Sequence, residues 1–267
     1  LANKSSPNLL SLEEANKNKL NINWEKSNPA KPSFLGAQEL NQVPVDVLRS
    51  YIDWTPFFKT WSLAGSYPKI LKDKVVGETA TQLFRDANKM LDELERSKII
   101  KNKSVIGFWP ASQDRNNEVK IYKNEKRKEQ ITTLNFPRQQ RFQGKGNPNL
   151  SLSDFIAPEG IETKDYIGAF AVTSGIGVEE ACAEYENNND DYSSIMLKAI
   201  ADRLAESLAE YVHEKVRKEY WGYSKDEELT QEALIKEKYI GIRPAPGYPA
   251  CPDHSEKVKL FSLLNAK

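Results

Sequence analysis

The 267-residue chain has two cysteines, Cys182 and Cys251, and two histidines, His213 and His254. That scarcity excludes a disulfide framework and leaves no paired second half for a zinc site built on Cys251-x-x-His254. Charge of either sign is not in surplus, since 38 basic residues meet 38 acidic ones. No overall field therefore draws the protein to nucleic acid or to an anionic membrane surface, and any ligand must be held by local groups. Long hydrophobic runs are missing too: "SVIGFWP" (104–110) and "YIGAFAV" (166–172) are far too short to span a bilayer, and the N-terminus lacks a cleavable signal pattern. No internal repeat is present. These absences describe a soluble, cytoplasmic chain of one large or two modest domains, long enough to bury a sizeable core.

The opening stretch is polar and rich in Asn and Lys, with a helix expected from about Ser11, where Ser11 and Glu14 form a capping-box pattern. It reads as a tether followed by a docking helix. The next segment breaks repeatedly at prolines and carries Trp54, Phe57, Phe58, Trp61 and Tyr67, an aromatic density that marks core. Leu83, Ala87, Met90, Leu91 and Leu94 then predict an amphipathic helix over 77–96, followed by a buried strand ending at Pro110. Residues 115–149 mix alternating apolar positions with a basic run, which fits a hairpin whose charged tip is solvated. A further strand, "YIGAFAVTS", leads into Gly175-x-Gly177 and a helix. This is the local shape of a nucleotide turn, but the third glycine and the regular strand–helix alternation are absent, so an ordinary strand-to-helix turn is expected.

Ile200, Leu204, Leu208, Val212 and Val216 recur every fourth position, with Ala201, Ala205 and Ala209 beside them, and predict a long helix capped by Asp190 or Asp191 and ended by Gly222. Glu206 lies opposite the leucine stripe, where a solvated face is its ordinary place. His213 is expected at the surface or the helix flank, with no second metal ligand beside it. The stretch "RPAPGYPACPDH" (243–254) is a stiff ribbon: four prolines fix φ, Gly247 permits a tight bend, and backbone carbonyls and amides stay available to a ligand. Arg243 at its entrance can clamp a carboxylate in two-point fashion. Prolines flanking Cys251 suit a rigid turn and not a nucleophile at a helix terminus.

"GIRPAPGYPACPDHSEK", "YIDWTPFFKTWSLAGSYP", "VIGFWPA", "LSDFIAP" and "DDYSSIMLKAIADRLAESLAEYVHEKVRKEYWGY" together resemble the reactivation domain of cobalamin-dependent methionine synthase, from about Phe34 to Lys267. The resemblance implies an α+β fold of unusual, C-shaped topology, an antiparallel sheet with flanking helices. It divides the chain into 1–33, a linker and docking helix, and 34–267, the reactivation domain. The implied chemistry is reductive methylation: S-adenosylmethionine is held above the corrin, an electron arrives from a flavodoxin-like protein or a diflavin reductase, and the methyl group passes to the cobalt of cob(II)alamin once reduced. The implied partner is a cobalamin-binding module of the same polypeptide, with any zinc confined to another module. Carried over by position, Asp53 matches an acidic ligand for the methionine ammonium and Arg243 the clamp for the carboxylate. Glu206 and Glu237 match acids near the sulfonium, and Tyr248, Pro249 and Ala250 the ribbon that lines the ligand and faces the corrin.

S-adenosylmethionine carries an ammonium, a sulfonium and a carboxylate, so acids at one end of a site and an arginine at the other complement it. With cobalt as the nucleophile the chain needs no base or nucleophile of its own, and no catalytic residue is assigned. The family's pattern continues beyond "LFSLLNAK", and the segment expected there would add ligand contacts. As part of methionine synthase the chain belongs to a methyltransferase supporting methionine biosynthesis, although the fragment alone is not expected to make methionine. The alternatives are a free-standing S-adenosylmethionine-dependent methyltransferase built on the Gly175/Gly177 turn and a non-catalytic ligand-sensing module.

Overall fold

The computed structural model describes residues 8–114 and 116–266. Ser11 caps α1 (Leu12–Lys17) through the reciprocal box expected with Glu14. The proline-broken segment that follows forms β1 (Gly36–Leu40), α2 (Val45–Arg49) and α3 (Trp54–Thr60), with Trp54, Phe57 and Phe58 buried and Trp61 and Tyr67 half-buried against the same core. Helix α4 (Gly77–Ser97) buries every residue of the predicted stripe, and Lys98 in left-handed conformation turns the chain out of it.

Strand β2 (Lys101–Gln113) is the axis of an antiparallel sheet. On one side it pairs along most of its length with β5 (Asp165–Ile176). Its other side is divided between β1, which pairs with Ser104–Phe108, and β3 (Glu118–Tyr122), which pairs with Ala111–Gln113; β4 (Gln130–Asn135) completes the hairpin beyond β3. The strand does not end at Pro110, as its sequence suggested. Pro110 falls between the last residue paired with β1 and the first paired with β3, a gap where no ladder bond is required on that edge, so the strand runs through.

Side chains alternate along β2 and β5 and build two cores. Ile106 and Phe108, with Phe170 and Val172 packed beside them, face the main helical layer, while Trp109 and Ala111, with Ile167 and Ala169, face the C-terminal helix over Glu256–Leu264, α8. Gly107 is required on the second face: a Cβ there would stand 2.2 Å from the Trp109 ring, which lies across it. Gly177, at φ +90°, starts α5 (Val178–Asn187), and a Cβ on it would meet the Ile99 carbonyl oxygen at 2.3 Å. Close packing against Ile99 thus accounts for this glycine, as an ordinary strand-to-helix turn requires.

Helix α6 (Asp191–Lys215) is capped by the Asp190 side chain and buries Ile200, Leu204, Leu208 and Val212 against the sheet. It runs on through a π-turn over Val216–Tyr220, in which Trp221 N–H reaches back to Val216 O at 2.8 Å, and stops at Gly222 with φ +73°. After α7 (Gln231–Ile235) the ribbon returns along the outer edge of the sheet towards α8. Among the described residues no helix is long and apolar enough to cross a membrane.

Candidate functional site

A groove of about 640 Å³ opens along β5, the edge strand that pairs with β2 alone among the described strands. This is within the size range of small-molecule sites. Phe108, Gly168 and Phe170 form its floor, one turn after another of α6 forms one wall with Glu206, Ala209 and His213, and Glu237 and residues 241–246 form the facing wall. Gly168 is small for a reason: a Cβ there would stand 3.0–3.1 Å from the Trp221 and Phe108 rings. The π-turn delivers Trp221 to this spot, and its indole N–H donates to Ala30 O at 2.7 Å.

A polar stripe along α6 and into the π-turn runs Glu206, Glu210, His213, Arg217, at i, i+4, i+7 and i+11, and of these Glu206 and His213 line the groove. Arg217 is fully buried, donates to both carboxylate oxygens of Glu227 at 2.5–3.0 Å, and sits 4.5 Å from the Tyr239 ring centre. Its Nη1 donates to His213 Nδ1 at 2.8 Å, which places the imidazole proton on Nε2. Burial, followed by the charges of Arg217 and Arg243, pushes His213 down to about 3, so the ring is neutral at physiological pH. His213 is therefore not the surface residue its sequence context suggested. It is 4% exposed and belongs to the groove wall, where a helix-flank position is covered by the returning 237–243 segment.

Arg243 reaches from the ribbon to Glu210, with Nη2 donating to Oε1. Arg243 Nε and Glu210 Oε2 are buried and have no hydrogen-bond partner. Burial raises the Glu210 carboxyl above its usual range, Arg243 and Arg217 oppose that, and Glu206 and Glu237 add to it. Glu206, Glu210 and Glu237 thus lie near one another beside Arg243, which pairs with Glu210, while Arg217 is already paired with Glu227. Asp165 also lines the groove, but its oxygens are engaged by the Ala157 and Tyr166 amides at 3.0 and 2.8 Å, a structural use.

The model of the vitamin B12 dependent methionine synthase activation domain matches residues 44–267. The chain belongs to this family. A crystal structure of the MetH reactivation domain bound to AdoHcy superposes with a TM-score of 0.92 at 48% sequence identity, covering 97% of this chain and 79% of that one. The activation domain's fold is the α+β arrangement expected, an open antiparallel sheet with flanking helices, and the family is part of a methyltransferase that depends on cobalamin.

Of the residues carried over by resemblance, the activation domain brings Glu206, Glu237, Arg243 and Tyr248 to one groove. Pro249 and Ala250 are not among its lining residues, and the Ala250 carbonyl accepts from Leu152 N at 2.9 Å. Much of the ribbon's backbone is likewise engaged internally: Gly247 N–H donates to Cys251 O and Cys251 N–H to Tyr248 O, both at 2.8 Å, so fewer amides are free than expected. Gly247, at φ +110°, makes the bend over the His254 ring, which a Cβ would meet at 2.5 Å. Asp53 is the N-cap of α3, where Oδ1 accepts from Thr55 N–H at 2.9 Å, and it does not line the groove. Its neighbour Ile52 is tied to the groove-forming segment through Gln231 Nε2 at 2.7 Å. Cys251 is buried in the second core, and burial pushes its thiol up to about 11. Glu210 and Arg217 were not singled out from sequence, though the i, i+4, i+7, i+11 stripe through Glu206 carried them.

Proposed function

We propose that this chain binds S-adenosylmethionine in the groove along β5 and presents its methyl group to a corrin held by a cobalamin-binding module of the same polypeptide. The observation that carries this is the pairing of one available arginine with an excess of acids: Arg243 faces Glu210, with Glu206 and Glu237 on the two walls. A guanidinium fits the ligand's carboxylate, and the surplus negative charge fits an ammonium and a sulfonium. Asp53 is kept as the ammonium ligand on the strength of the resemblance, and its neighbour Ile52 is tied through Gln231 to the segment that leads into the groove wall. Tyr248, 61% exposed at the mouth, with Pro249 and Ala250 beside it, forms the surface turned to the corrin. The AdoHcy held by the structurally similar reactivation domain is the demethylated form of the same ligand, which supports the assignment.

The residues of this chain bind and orient. The walls fix the ligand so that its methyl carbon lies exposed, and proximity lowers the barrier without a base or nucleophile from this chain. The electron comes from a flavodoxin-like protein or a diflavin reductase. Residues 1–33 link this module to the corrin-binding one, and 34–267 form the binding unit. The test is a chemical-shift map and calorimetric titration with S-adenosylhomocysteine and S-adenosylmethionine. Perturbations should centre on Glu206, Glu237 and 243–250; perturbations confined to 173–178, or no binding, would refute the proposal.

A further inference from the structure

Beside the groove, paired with Arg243 of its wall, stands an acid that the family resemblance did not assign, and its place gives it a role distinct from that of Glu206 and Glu237. Glu210 lies one helical turn beyond Glu206 on α6, and its side chain is 21% exposed, as is that of Arg243. A single contact joins them, from Arg243 Nη2 to Glu210 Oε1, and the pairing is not the two-point fork that an arginine and a carboxylate form when each is the other's whole partner. The Nε donor of Arg243 and the Oε2 acceptor of Glu210 are both left buried without a partner. Glu210 is anchored on a 25-residue helix, whereas Arg243 stands on an irregular ribbon with few bonds of its own around it. A long, flexible side chain on a loop is thus held at one point by a rigid element, with its Nε uncommitted.

We propose that Glu210 is a positioning residue for ligand recognition: it fixes the Arg243 guanidinium against α6 so that its remaining donors meet the carboxylate of the ligand in the groove. Glu210 does not itself contact that carboxylate, which like charge forbids. The second partner lowers the entropy Arg243 loses when the ligand arrives, because one end of the fork is already set. This rests on the binding function proposed above and assigns a further residue to it.

Isothermal titration of the full 267-residue chain and its variants separates positioning from simple damage. The probes are S-adenosylhomocysteine and 5′-methylthioadenosine, which shares the adenosine and thioether but has no carboxylate. Glu210→Ala should weaken S-adenosylhomocysteine on the order of 10-fold, the scale of one hydrogen bond to a charged group, and leave 5′-methylthioadenosine within about twofold. Glu210→Gln, which keeps an acceptor oxygen for Nη2, should recover part of the loss. In an Arg243→Ala background Glu210→Ala should cost nothing more, since the group it positions is gone. Equal losses for both probes, an undiminished loss in the Arg243→Ala background, or unchanged affinity would each overturn the proposal. Tighter binding of S-adenosylhomocysteine by Glu210→Ala would also overturn it, by showing that Glu210 competes for Arg243. If the unaltered chain bound neither probe, the binding function itself would fall, a result distinct from any of these.

Discussion

Arg243 is the residue on which the charge argument turns, because its single carboxylate contact among the described residues, to Glu210, leaves its Nε over. Arg243→Ala should weaken S-adenosylmethionine binding by roughly 1.5–3 kcal/mol, the range for a hydrogen bond to a charged group, and Arg243→Lys should restore only part, since an ammonium cannot make the planar two-point contact. Calorimetry showing both variants at full affinity would remove Arg243 from the site. His213 gives a second handle. Its folded value of about 3 is below the ordinary 6.5, so between these limits the unfolded chain binds the extra proton. The stability from the neutral ring is fully present above about 6.5 and is lost as pH falls towards 3, amounting to about 2 kcal/mol between pH 7 and 5. Urea midpoints at these two pH values should differ more for the unaltered chain than for His213→Gln, and an equal difference would mean that the ring is not held neutral. Residues of this kind were the least legible in sequence. Arg243 announced itself among prolines, but His213 and Arg217 became a buried pair only because Glu227 and Tyr239, 10 and 22 positions beyond Arg217, fold back over α6.

At the scale of elements, local pattern and tertiary demand mostly agree, and that is why so much of the architecture could be read. The stripes of α4 and α6 and the capping box of α1 rest on interactions within a few residues. Pro110 was misjudged because a strand's tolerance for proline depends on which neighbour it lacks, and the division of one β2 edge between β1 and β3 is not a local property. The π-turn after α6 was likewise invisible, since its widening follows from where Trp221 has to pack. Gly175-x-Gly177 is the element where the two functional alternatives part. A side chain at Gly177 would be strained at φ +90° and would collide with the Ile99 carbonyl. Gly177→Ala should therefore destabilise the fold by about 2–4 kcal/mol through backbone strain and overpacking, yet leave the dissociation constant of S-adenosylhomocysteine unchanged below the unfolding transition. Thermal melting and titration of this one variant check both halves. A large loss of affinity in a folded variant would bring the ligand to the turn and revive the free-standing methyltransferase.

For the whole molecule, the groove exists because two cores share one sheet, and the polar leading segment helps to hold both together. Leu10 N–H donates to Gln140 O at 2.7 Å, Asn149 N–H to Asn18 O at 2.9 Å, and Ala15 is fully buried. Asn16 Oδ1 accepts at 2.8 Å from Nε of Arg138, whose other donors hold Asp154 in a pair only 1% exposed on each side. Further along, Ser33 N–H donates to Tyr220 O and Ala30 O accepts from the Trp221 indole, so the same segment secures the π-turn that shapes the groove floor. None of this was evident from composition, because Asn- and Lys-rich sequence signals solvation, and its bonds go to partners more than 100 residues away. Deleting residues 1–33 would leave Arg138 Nε buried without an acceptor and break several further hydrogen bonds. The expected cost is about 3–5 kcal/mol, reckoned as one stranded charged donor plus ordinary bonds near 1 kcal/mol each. Urea unfolding of 34–267 against 1–267 measures it. Coincident midpoints would show the leading segment to contribute nothing to stability, whereas a lowered midpoint with native-like helix content would mean that this segment helps to build the fold around the groove.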